Sequence, residues 1–220
     1  MRLFDDDNPV FVALENELHM VEQANEIQKI ADEVKKENCR LREEMSKMRR
    51  LFKTSNKIVI ATEGNNIDHI KHAITILAPD LLGEIEFLEG LKDGSGVDTL
   101  KKMFEYESAK EAGKALFVFD CDALSKVESL EEKNGTFVYV FDKKEDSAVN
   151  GGIENLYPKE FFEDGDFSIK EVQLNDGEKT ERRLRKKEFC ERILQLHDNN
   201  GHQFDSFEGL ISKIREILMS

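Results

Sequence analysis

The first strong pattern in this sequence is an alternation of four- and three-residue spacings between apolar positions. The positions that follow it are Met20, Ala24, Ile27, Ala31, Val34, Asn38, Leu41, Met45, Met48 and Phe52. Such spacing is the a/d repeat of a coiled coil, in which an Asn at an a position favours a two-stranded state. Because no Pro or Gly occurs between residues 10 and 54, we predict one long helix there.

Charged residues beside this apolar stripe indicate how two copies would pair. Two g positions hold Glu and the e positions that follow them hold Arg: Glu37 with Arg42, and Glu44 with Arg49. In a parallel dimer each g residue faces the partner's next e residue, so both pairs would be oppositely charged. We therefore predict that residues 1–55 are a helical oligomerisation segment that self-associates through residues 20–52. The alternatives are a helix that packs on the chain's own globular part, or on another protein.

From residue 56 onward, short apolar runs alternate with stripes of helical period. The runs that predict strands are residues 57–62, 84–89, 115–119 and 136–141. The stripes that predict helices are residues 66–77, 97–112, 179–196 and 207–218. Strands that alternate with helices of this length indicate crossover units and a parallel sheet. We predict an α/β domain over residues 56–220, with a parallel sheet flanked by helices and with helices at its C-terminal end.

Composition limits the classes of function. The chain carries 32 Lys and Arg against 46 Asp and Glu, a formal net charge of −14. Binding a phosphate backbone takes clustered Lys and Arg, so a chain this acidic would need a local basic patch, metal ions or a basic partner to hold nucleic acid. No stretch approaches 18 consecutive apolar residues, which predicts no membrane span. The start has no apolar run after a basic one, so we expect no signal peptide, and three widely spaced cysteines are typical of a reducing cytoplasm.

Acidic residues follow two of the predicted strands. Glu63 comes directly after the first, and Asp120 and Asp122 come directly after the third. The carboxyl ends of parallel strands share one edge of a sheet, where ligands bind, so we expect these three side chains to converge. Oxygen ligands with open positions suit Mg²⁺ or Mn²⁺, and two such ions are able to cleave a phosphodiester. The alternative is that these acids are solvated turn formers or helix caps.

The segments around these acids resemble a known family. The runs KIVIATEGNNIDHIKHAI and ALFVFDCDA are similar to the Toprim domain of topoisomerases, bacterial primases and overcoming-lysogenization-defect nucleases. The hallmarks of that domain are a strand that ends in Glu-Gly and a later strand that ends in Asp-x-Asp. The later run GGIENLYPKEFF resembles a segment of the nuclease branch. The similarity extends over about residues 57–196 and implies a Toprim-like α/β fold.

The resemblance also implies a role for each matching residue. Glu63 would be a metal ligand or a general acid/base, and Asp120 and Asp122 would bind the metal ions. Glu154 would complete a second metal site. Lys186 resembles the late basic residue of the nuclease branch and would stabilise charge on the phosphate. The implied cofactor is Mg²⁺ or Mn²⁺.

One position departs from the nuclease pattern. Many members carry Asp four residues after the Glu, and here that position is Ile67. Asp68 is one residue late and would point elsewhere on its helix. Either Asn66 or Asp68 substitutes through a water, or the second metal is held weakly.

The function expected from these features is that of a metal-dependent DNA endonuclease subunit in defence against phage. The nuclease branch usually carries an ATPase, but the sequence has no G-x-x-x-x-G-K-[ST] motif, so the ATPase would be a separate partner. The alternative is a degenerate Toprim-fold interaction module, without catalysis, that is recruited through the coiled coil. A topoisomerase or primase fragment is a third, less favoured interpretation, because the associated domains are missing.

Overall fold

The computed structural model describes most of the chain. The described ranges are residues 9–54, 56–64, 66–89, 96–110, 113–174, 177–195 and 202–220. The chain divides into two compact units, Met1–Lys47 and Met48–Ser220. Within the described ranges, no helix is long and apolar enough to cross a membrane.

The regular elements follow a mostly alternating order. The helices are α1 (Pro9–Thr54), α2 (Asn66–Leu77), α3 (Val97–Ser108), α4 (Leu124–Val127), α5 (Lys186–Gln195) and α6 (Glu208–Met219). The strands are β1 (Ile58–Thr62), β2 (Ile85–Phe87), β3 (Ala115–Phe119), β4 (Thr136–Val140), β5 (Phe167–Leu174) and β6 (Gly177–Leu184). Short 3-10 turns lie between several of these elements.

The first unit consists of most of α1, the long helix that the sequence predicts. Its apolar stripe faces solvent in the single chain: Met20, Ile27 and Val34 are 62%, 67% and 54% exposed. The long helix is therefore present, while its pairing with a second copy stays a prediction. The predicted boundary after residue 55 also stays a prediction, since the division between the units falls inside α1.

The second unit is built on a four-stranded sheet with the order β2-β1-β3-β4. All three neighbouring pairs are parallel. The prediction of a parallel sheet flanked by helices is confirmed, and this sheet is compatible with a Toprim-like arrangement. The chain runs from β1 outward to β2 and then returns to the other side of β1 for β3 and β4. The strand order therefore reverses between β1 and β3.

Helices cover both faces of this sheet. On one face, Leu116 and Val118 of β3 join a core cluster that includes residues of α2, α5 and α6. Successive residues of a strand point to opposite faces, so Phe117 lies on the other face. There its ring meets that of Phe104 of α3, edge to face, at a centroid distance of 5.3 Å. Burial on both faces explains why β1 and β3 are continuous apolar runs.

One predicted helix is wrong over its first part. Residues 179–184 were expected to begin a helix that ends at 196, but they belong to β6, which pairs antiparallel with β5 from Phe167↔Leu184 to Leu174↔Gly177. Only α5, from Lys186 to Gln195, is helical. The segment is rich in Glu, Lys and Arg, which favour helices, and it has few apolar residues to show a period of two. Its pairing with β5 overrides the local preference.

An ion pair fixes the position of α5. Arg192 pairs with the carboxylate of Asp166, and it donates a hydrogen bond of 2.6 Å to the carbonyl oxygen of Phe161. Burial would raise the pKa of Asp166, but the hydrogen bonds from Arg192 and the backbone lower it overall. At the start of the helix, the Arg185 N–H donates to the Asp166 carbonyl at 2.7 Å. These bonds hold the first turn of α5, which carries Lys186.

Two isoleucines on α2 test this description of the core. Ile70 is fully buried, while Ile76, on the same helix, is 38% exposed. We expect Ile70→Ala to lower the free energy of unfolding by about 2–5 kcal/mol, because it removes buried methyl groups and leaves a cavity. The matched variant Ile76→Ala should change it by about 0.5 kcal/mol or less. Chemical denaturation measures both, and equal losses would contradict the assigned helix face.

Candidate functional site

The first two acidic residues follow neighbouring strands at the point where the strand order reverses. Glu63 follows Thr62 at the end of β1, and Asp120 follows Phe119 at the end of β3. The register pairs Thr62 with Val118, so both carboxylates lie at one edge of the sheet. The backbone N–H of Asp120 donates a hydrogen bond to the Glu63 carboxylate. In open α/β sheets such a reversal is the usual position of a ligand site.

The start of α2 contributes an amide to this edge. Asn66 Nδ2 donates a hydrogen bond of 2.7 Å to Asp120 Oδ1, and Asn66 is itself buried. Ile67, at the position where the resembled family has Asp, is fully buried in the interior. Gly64 has a φ of +46°, a backbone conformation that favours glycine and lets the chain turn from β1 into α2. Of the two proposed substitutes for the missing Asp, the structure brings Asn66 into contact with Asp120.

The third acidic residue lies against a glycine. Asp122 is exposed, in the 3-10 turn Cys121–Ala123 that follows β3. A Cβ added to Gly151 would come within 2.9 Å of Asp122 Oδ2, closer than real contacts allow. Gly151 therefore leaves the space that this carboxylate occupies.

The fourth carboxylate is paired with a lysine. Glu154 lies in the buried 3-10 turn Ile153–Leu156, and its Oε2 is 2.9 Å from Lys186 Nζ. Gly152, at φ +74°, packs against this pair: an added Cβ would lie 2.5 Å from Glu154 Oε2 and 2.9 Å from Lys186 Nζ. The structure therefore brings together Glu154 and Lys186, which are 32 residues apart in the sequence.

Electrostatic coupling joins these groups into one cluster. Burial, and then repulsion from Asp120 and Asp122, raises the pKa of Glu63 to about 7. Burial, and then repulsion from Glu154 and Asp122, raises the pKa of Asp120 to about 7, against the opposing effects of Lys186 and Asn66. Burial alone would lower the pKa of Lys186, but its attraction to Glu154 and the two Asp residues raises it overall.

A buried asparagine connects the segments that carry these acids, and reasoning from the sequence did not single it out. Asn155 Oδ1 accepts the Lys144 N–H at 2.8 Å, and its Nδ2 donates to the Val149 carbonyl at 2.7 Å. The thiol of Cys121, between the two Asp residues, also lies 3.5 Å from Asn155 Oδ1. These contacts hold the turn that carries Glu154 against the segment that follows β3. The only signal for this residue was the place of Asn155 beside Glu154.

A second buried pair joins α2 to the same turn. His69 Nδ1 and Tyr157 Oη are 2.6 Å apart, and both residues are buried. Burial lowers the pKa of His69 to about 4, so its imidazole is neutral at pH 7. The pair fixes the end of the turn that carries Glu154, and it adds a polar contact to an otherwise apolar interface.

The residues present suit a divalent cation. Carboxylate oxygens are the ligands that Mg²⁺ and Mn²⁺ prefer. Glu63 Oε1 is buried without a hydrogen-bond partner, so one oxygen of the cluster has no protein donor. As the side chains stand, no group of three His, Cys, Asp or Glu residues in the described ranges is arranged to hold a metal ion. Asp120 and Glu154 are directed instead to Asn66 and Lys186.

The chain matches no protein-family model, no curated protein and no solved structure.

The raised pKa of Asp120 predicts how stability changes with pH. Between the ordinary value of 3.8 and about 7, the folded protein binds more protons at Asp120 than the unfolded chain does. The stability that this group contributes is present below pH 3.8 and is lost as the pH rises through about 7. We expect Asp120→Asn to remove this loss. The free energy of unfolding of wild type should therefore fall relative to that of the variant between pH 4 and 7.5.

Urea denaturation of the two proteins across that range measures the difference. His69 acts in the opposite sense, because its lowered pKa makes stability rise with pH from about 4 to 6.5. Its contribution is common to both proteins and cancels in the comparison. The control variant Asp98→Asn changes an exposed residue in the first turn of α3, and its stability should depend on pH as that of wild type does. If the free energies of unfolding of wild type and Asp120→Asn differed by the same amount at every pH, the assigned burial of the cluster would be contradicted.

Proposed function

We propose that this chain is the metal-dependent DNA endonuclease subunit of a cytoplasmic anti-phage defence system, with a Toprim-like catalytic domain. The observation that carries the proposal is the cluster of coupled carboxylates at the reversal of strand order between β1 and β3. The motifs that end in Glu63 and Asp122 supply the resemblance to Toprim nucleases. The cluster supplies the chemistry, because it gathers hard oxygen ligands at a sheet edge where ligands bind.

Glu63, Asp120 and Asp122 are the residues that would hold Mg²⁺ or Mn²⁺. When bound, such an ion lowers the pKa of a coordinated water and stabilises the leaving oxygen of a phosphodiester. The raised pKa of Glu63, about 7, suits a second role for this side chain as a proton donor or acceptor at neutral pH. Lys186, whose ammonium already lies at the cluster, would offset the negative charge of the phosphate.

Three exposed arginines that precede Lys186 in the chain would hold the DNA backbone. Arg182 and Arg183 lie in β6, and Arg185 lies directly before α5. Two of them already pair with acids: Arg182 with Asp164 at 2.9 Å, and Arg183 with Glu181 at 2.7 Å. Phosphates would exchange for these carboxylates, so binding should weaken steeply as salt is added. A second basic group in the sequence, Arg49, Arg50 and Lys53, would also contact DNA; it lies on α1, outside the described side chains.

An ATPase supplied by another subunit completes the proposal. The resembled nucleases usually carry an ATPase, and these 220 residues contain no P-loop motif. The exposed apolar stripe of α1 would join copies of this chain, and so bring two nuclease domains into one assembly.

A second candidate function is that of an interaction module with a degenerate site. The observation that favours it is the complete burial of Ile67, where the resembled nucleases have a carboxylate. A buried isoleucine is unable to bind a metal ion, so one expected ligand is lost.

A nicking assay on supercoiled plasmid separates the two functions. With Mg²⁺ or Mn²⁺, and with the ATPase where a neighbouring gene encodes one, wild type should cut DNA. Asp120→Ala and Glu63→Ala should lower the rate on the order of 100-fold or more, because each removes a ligand from the cluster. The control Asp98→Ala removes an exposed carboxylate from α3 and should cut like wild type.

Two results would reject the nuclease. Equal cutting by wild type and both cluster variants would assign the activity to a contaminant or another site. No cutting by wild type with any divalent ion, alone or with the ATPase, would favour the interaction module.

Self-association through α1 has its own test. We expect wild type to form a parallel dimer, because Ile27 occupies a d position and is exposed in the single chain. Ile27→Glu should shift the sedimentation coefficient at micromolar concentration to that of a monomer. Asn25→Glu adds the same charge at an outer b position and should leave the dimer intact. A wild-type monomer, or dissociation by both variants alike, would contradict the coiled coil.

A further inference from the structure

The ammonium group of Lys186 already occupies one end of the carboxylate cluster. It pairs with Glu154 at 2.9 Å, and it is attracted by both Asp120 and Asp122. The Glu154 side chain is only 6% exposed, so its charge is removed from water and needs a cation close by. In the described structure Lys186 supplies that cation.

The surroundings of the pair hold the lysine in place. Gly152 packs against both members, which leaves no room for a Cβ there. The backbone of α5 is fixed by the bonds of Arg192 to Asp166 and Phe161. These contacts fix the backbone of α5, from which the Lys186 side chain reaches Glu154.

The start of α2 brings no negative charge to the cluster. Asn66 presents a neutral amide that donates to Asp120 Oδ1, and the next residue, Ile67, is apolar and buried. Two divalent cations about 4 Å apart need several anionic ligands to offset their mutual repulsion. A tethered ammonium at Glu154 and an amide at Asp120 both lower the net negative charge that is left for a second ion.

We propose that the site binds one divalent ion, at Glu63, Asp120 and Asp122, and that the Lys186 ammonium takes the place of a second ion at Glu154. This inference rests on the proposed function, since it assumes that the cluster binds a metal. It changes the stoichiometry implied by the resemblance from two ions to one. It also makes Glu154 the partner of Lys186 rather than a metal ligand.

Counting bound Mn²⁺ tests the proposal without an activity assay. Equilibrium dialysis should give one Mn²⁺ per wild-type chain, and the low-temperature electron paramagnetic resonance spectrum should be that of an isolated ion. Lys186→Met frees Glu154, so a second Mn²⁺ should bind and the spectrum should show coupling between ions about 4 Å apart. The matched control is Lys187→Met, which removes an exposed lysine one residue later on α5 and should keep one ion.

A second set of variants identifies the ligands. In the wild-type background, Glu154→Gln should still bind one Mn²⁺ with little change in affinity. Asp120→Asn should lower the affinity for this ion about tenfold or more. In the Lys186→Met background, Glu154→Gln should abolish binding of the second Mn²⁺. Since the side chain of Lys186 is 62% exposed, Lys186→Met should leave the fold intact, and circular dichroism would check this.

The outcomes separate this inference from the proposed function. Two coupled ions in wild type would overturn the one-ion site and leave the nuclease proposal standing. One ion in both wild type and Lys186→Met would also overturn the role of Lys186. No Mn²⁺ bound to wild type would overturn both proposals, because the cluster would then not be a metal site.

Discussion

The candidate site depends on the parallel pairing of β1 with β3. These strands are not consecutive in the chain, because β2 pairs on the far side of β1. Their register brings the ends of both strands to one edge, and Glu63 and Asp120 follow directly. Without this reversal of strand order the two carboxylates would lie at separate places on the sheet. The apolar runs that precede them form the strands, so the same segments build the core and position the acids.

This arrangement forces like charges together in a partly buried place. Raised pKa values of about 7 at both Glu63 and Asp120 show that ionising the cluster is unfavourable. Three groups reduce the cost: the Asn66 amide, the Asp120 backbone N–H and the Lys186 ammonium. The interior core, with β1 and β3 buried on both faces, supplies the stability that holds such a cluster in place.

Much of the α/β fold of the second unit could be predicted from the sequence, and the reasons are local. The runs at β1 and β3 are apolar throughout because both faces are buried, and α2 shows a clear apolar stripe. The hairpin of β5 and β6 could not be predicted, since its second strand is charged and depends on pairing with the first. The approach of Lys186 to Glu154 came only through the resemblance of their motifs. The contacts of Asn155 could not be predicted, because hydrogen bonds to distant backbone groups leave no periodic pattern.

The segment from Gly151 to Tyr157 determines the surroundings of the carboxylates at this edge of the sheet. It has no strand and only one 3-10 turn, yet it carries Glu154, leaves space for Asp122 and binds both α2 and the loop after β4. Irregular backbone of this kind is held by specific bonds, here those of Asn155 and Tyr157, rather than by a regular hydrogen-bond ladder. It also meets the first turn of α5, where Lys186 lies. A chain with a net charge of −14 thus places one positive charge, that of Lys186, beside the carboxylates that follow β1 and β3.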